Sequence, residues 1–63
     1  MSPGDAVALN NLAQVHLDQG CRDEALATID AAIASVGATH PVRTQLLATK
    51  DEVLHSDRGS HCR

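Results

Sequence analysis

Between Gly20 and Gly37, the residues Ala25, Leu26, Ile29, Ala32, Ile33 and Val36 fall on successive positions of one helical stripe. A stripe with that spacing is the signature of an amphipathic helix that buries one face. Glycine adopts a left-handed cap without a Cβ penalty, so Gly20 is a stop before a tight reversal. Asp23 and Glu24 suit the positive N-terminal end of the helix that follows, and Gly37 closes it. A chain interrupted in this way folds back on itself, and the fold class it dictates is all-α.

The flanking segments complete three helices. Ser2-Pro3-Gly4-Asp5 carries capping and first-turn residues, which predicts a helix from about Asp5 after a lead over 1–4. Its inward set is Leu9, Leu12, Ala13 and His16, and its polar side is Asn10, Asn11, Gln14 and Asp18. His40-Pro41 opens a third helix over 40–56, in which Val42, Leu46 and Val53 form one apolar row and Leu47 with Leu54 another. Thr44, Gln45, Ala48, Asp51, Glu52 and His55 cover its other side, so the helix suits an outer position. Residues 57–63 have no apolar period and read as a mobile tail.

Composition narrows the function classes. The chain of 63 residues holds no Phe, Tyr or Trp, so it has no aromatic platform for base stacking. Its net charge of −3 and the scattering of Arg22, Arg43, Lys50, Arg58 and Arg63 argue against a nucleic-acid partner. No apolar run approaches the length of a membrane span, and no basic-then-apolar leader stands at the start. The expectation is a cytoplasmic protein without a membrane role, whose two cysteines are reduced. A core this small also favours self-association, as in a homodimer, or packing against neighbouring units.

In the segment from Ala6 to Ala38, Leu9, Leu12, Ala13, Gly20, Ala25, Ile29 and Ala32 stand in the register of a known pattern. The chain resembles a tetratricopeptide repeat, a helix-turn-helix unit of about 34 residues. "NNLA" and "HP" at His40-Pro41 are similar to the longer-period form found in kinesin light chains. His16 stands where an aromatic is usual, and Gly37 where proline is usual. The resemblance implies a hairpin over 5–38, part of a right-handed superhelix, in which small residues at 13, 25 and 32 let the helices approach and Leu12 and Ile29 fill the space beside them. Aligning Pro41 on Pro3 puts Lys50 and Asp51 where Leu12 and Ala13 stand. The third helix therefore reads as the solvating cap that ends such an array.

The same resemblance implies a concave ligand-facing side carrying Val7, Asn10, Asn11, Gln14 and Asp18, with Asn10, Asn11 and Gln14 available to an extended peptide backbone. Repeats that clamp a terminal carboxylate use Lys and Arg there; Val7, Asn10 and Gln14 disfavour that role. The expected function is a non-catalytic module binding a protein or peptide. The alternative is a small metal- or thiol-dependent protein using Cys21 with His55, His61 and Cys62. Against the metal site, no cysteines stand two apart; a Cys/His nucleophile pair is similarly thin, since His16 lies five residues before Cys21, near the wrong face for a settled hydrogen bond. Asp23, Glu24, Asp51 and Glu52 are explained by helix-end electrostatics. No catalytic residue, metal ligand or cofactor is assigned.

Overall fold

A computed structural model describes residues 3–56; the tail expected over 57–63 and the first two residues of the lead lie outside them. The architecture is all-α: α1 (Pro3–Asp18), α2 (Arg22–Ala34) and α3 (Val42–Leu54). The helix expected from Asp5 starts at Pro3, where a residue lacking an amide hydrogen costs no intrahelical bond.

At the α1–α2 reversal, Gly20 takes φ 81°. Its amide donates to the Leu17 carbonyl at 3.0 Å, and the Cys21 amide donates to the His16 carbonyl at 2.8 Å. These crossed bonds are a Schellman motif, which satisfies carbonyls that the last turn of a helix leaves open. Cys21 is at once the residue after the stop and the N-cap of α2, its carbonyl accepting from the Ala25 amide at 2.8 Å. The two helices thus share a junction with no spare residues.

Where α2 ends, the outcome differs from expectation. It stops at Ala34 rather than at Gly37, and Ser35 is its C-cap. The Ser35 hydroxyl donates to the Ala32 carbonyl at 2.7 Å, which terminates the helix through a side chain. At the start of α3 the His40 ring occupies an amide of the opening turn: Val42 N–H donates to its Nδ1 at 3.1 Å.

The core is built from Ala6, Ala13, Ile29, Ala32 and Leu46, all fully buried, with Leu9, Leu26, Ile33, Val36 and Val42 packed around them. Ala25 and Val53 are also fully buried. With methyl groups on both sides of the seam, α1 and α2 lie close, and α3 covers the pair. In α3 the buried row is Leu46, Thr49 and Val53, while Leu47 and Leu54 remain exposed. Thr49 is tolerated inside because its hydroxyl donates to the Gln45 carbonyl of its own helix at 3.2 Å.

Two side-chain ties fix α3 on α2. The Arg22 guanidinium donates from Nε to the Val53 carbonyl at 3.0 Å and from a terminal nitrogen to the Leu54 carbonyl at 3.2 Å. It thereby sets a positive charge at the negative end of α3. Lys50 Nζ meets Asp30 Oδ1 at 2.7 Å on the surface.

Candidate functional site

The residues expected to face a ligand divide. Val7, Asn11, Gln14 and Asp18 lie toward solvent on α1, whereas Asn10 is only 4% exposed. Steps of four from Ala6 and three to Ala13 place Asn10 on the buried face. It is therefore unavailable to a peptide backbone, and its Oδ1 has no hydrogen-bond partner among the described residues.

Leu12 also departs from its expected packing role, being 44% exposed. Consecutive helical residues are about 100° apart, so with Ala13 at the centre of the seam its neighbours Leu12 and Gln14 fall on the flanks. Leu12, Val7 and Val15 consequently give the outer side of α1 a surface of large apolar groups beside Asn11 and Gln14. The other residues of the repeat-like register lie inside or at the turn: Ala13, Ala25, Ile29 and Ala32 fully buried, Leu9 half-buried and Gly20 in the reversal. No cavity is present among the described residues.

The α1–α2 junction gathers a second set. Its Schellman reversal returns Cys21 over His16, and Glu24, in the first turn of α2, reaches back toward the same point. One ligand-capable atom each of His16, Cys21 and Glu24 lies within 4.8 Å of the others. His16 Nδ1 is buried without a hydrogen bond among the described residues and stands 3.7 Å from Glu24 Oε2, beyond hydrogen-bonding range. The reversal thus makes His16 and Cys21 spatial neighbours, while His16 Nδ1 makes no hydrogen bond among the described residues.

Cys21 is disulfide-bonded, which corrects the expectation of reduced cysteines. Cys21, at 3% exposure, is part of the packing as well as a cross-link. His55, the other described histidine considered as a ligand, is engaged within α3, its Nδ1 at 2.8 Å from the Asp51 carbonyl oxygen and 3.2 Å from Asp51 Oδ1. His61 and Cys62 lie outside the described residues.

No protein-family model, curated protein or solved structure matches the chain. Among the described residues no helix is long and apolar enough to cross a membrane.

Proposed function

We propose that the chain is a non-catalytic protein–protein interaction module, a tetratricopeptide-like hairpin with a capping helix, acting as the end of a repeat array or as a small relic of one. The observation that carries this reading is the outer side of α1, where Val7, Leu12 and Val15 are each 44–49% exposed behind a seam sealed by alanines. A helix that places its small residues in one contact and leaves its large ones outside is suited to a second contact. The partner is an apolar helix face, supplied by another protein or by a second copy of this chain. A cytoplasmic setting belongs to this reading.

The test is light scattering and thermal melting across a concentration series. The isolated chain should associate, with a melt that sharpens and rises with concentration. Leu12→Glu combined with Val15→Glu should abolish that dependence and leave the helical content of the hairpin in place. A sharp, concentration-independent melt of a monomer would overturn the proposal.

A further inference from the structure

We infer that the α1–α2 junction is a redox-gated metal site, in which His16 Nδ1, the Cys21 thiolate and a Glu24 carboxylate oxygen take up one zinc-class divalent ion once the Cys21 disulfide is reduced.

The three residues supply the nitrogen, sulfur and oxygen donors that zinc accepts, and three protein ligands leave its fourth position open. Bonds of about 2.0–2.3 Å at tetrahedral angles put ligand atoms roughly 3.4–3.7 Å apart. The cluster spans at most 4.8 Å, and the His16–Glu24 separation is already 3.7 Å. Glu24 is the adjustable member, with its side chain 59% exposed, while His16 is 23% exposed and held at the last turn of α1. The buried His16 Nδ1 has no hydrogen bond among the described residues, so an ion at this point would satisfy an atom they leave orphaned. The charges also balance, since a thiolate, a carboxylate and a neutral imidazole together offset a divalent cation.

The gate is covalent. In the disulfide the Cys21 sulfur cannot supply a thiolate. A dithiol reductant breaks the sulfur–sulfur bond, closing into a cyclic disulfide as it gives two protons and two electrons to the two cysteine sulfurs. The ion then displaces the Cys21 thiol proton to solvent, so binding releases that proton. The same sulfur is thus a cross-link under oxidation and a ligand under reduction.

The full chain is titrated with Zn²⁺ against a chromogenic chelator, oxidised and reduced, and with Co²⁺ to read thiolate charge transfer in the near ultraviolet. Reduced protein should bind one ion per chain, with the charge-transfer band present. Oxidised protein and Cys21→Ser should bind on the order of 100-fold more weakly or not at all, and His16→Gln and Glu24→Gln at least roughly 10-fold more weakly. Cys62→Ser, which removes the only other cysteine of the chain, should keep the site. Circular dichroism checks that each variant retains its helices. If Cys21→Ser unfolds, the ¹⁵N shift of the His16 ring in the reduced wild type decides, moving on metal addition if the site is real. Absence of stoichiometric uptake by the reduced chain, undiminished uptake by His16→Gln, loss of uptake in Cys62→Ser, or an unmoved His16 ring would each overturn the inference.

Discussion

A methyl group added at Gly20 would have to live at φ 81°, where a Cβ crowds the following carbonyl at a cost of about 1–2 kcal/mol. Gly37 has no such φ, and a Cβ built there meets nothing within 4 Å among the described residues. The two glycines punctuate the chain alike but do different work. Gly20→Ala should lower the urea midpoint by the equivalent of about 1 kcal/mol. Gly37→Ala should raise it by about 0.4–1 kcal/mol, because the unfolded chain loses freedom and the folded one loses nothing. Sequence periodicity marks both as stops, but the Ser35–Ala32 bond that ends α2 is a local choice of a hydroxyl that periodicity does not encode. Residue-scale chemistry at the junction is hidden for a related reason. An interval of five puts His16 and Cys21 on different faces of a continuous helix, and only the reversal at Gly20 folds them together.

At the scale of elements, the three helices and the inward stripe of α2 are legible in the sequence, since α2 combines an uninterrupted apolar period with Asp23 and Glu24 at its positive end. Which apolar row of α3 faces inward is not legible, because Leu46 and Leu47 differ by one position and both rows are greasy. The seam decides it, taking Leu46 and Val53 and leaving Leu47 and Leu54 outside. Alanine at the seam sets how closely the rods approach, so Ala32→Leu at this fully buried position should cost about 1–3 kcal/mol by overpacking, read as a fall in thermal midpoint. Arg22 fastens the far end of α3 to the near end of α2 through the Val53 and Leu54 carbonyls. Arg22→Ala should cost roughly 1 kcal/mol, given partial exposure, and should speed hydrogen exchange in the last turn of α3 more than elsewhere. Lysine at that position should not restore both bonds, since a single ammonium lacks the planar fork.

For the molecule as a whole, a core of small side chains leaves little reserve, so a cross-link at Cys21 weighs more than it would in a larger domain. Disulfides in small domains typically contribute about 2–4 kcal/mol. Reducing the chain in the absence of metal should therefore lower its thermal midpoint markedly, as followed by circular dichroism. On the redox-gated reading, Zn²⁺ should raise the midpoint of the reduced form by binding the folded state alone, and should leave the oxidised form unmoved. Because Arg22 pins the close of α3 beside the opening of α2, Ser56 lies at the same pole of the bundle as Cys21, opposite the pole where Gly37 and His40 turn. A reporter or binding partner fused after that point would sit at the redox-responsive end, whereas one inserted between α2 and α3 would sit at the other.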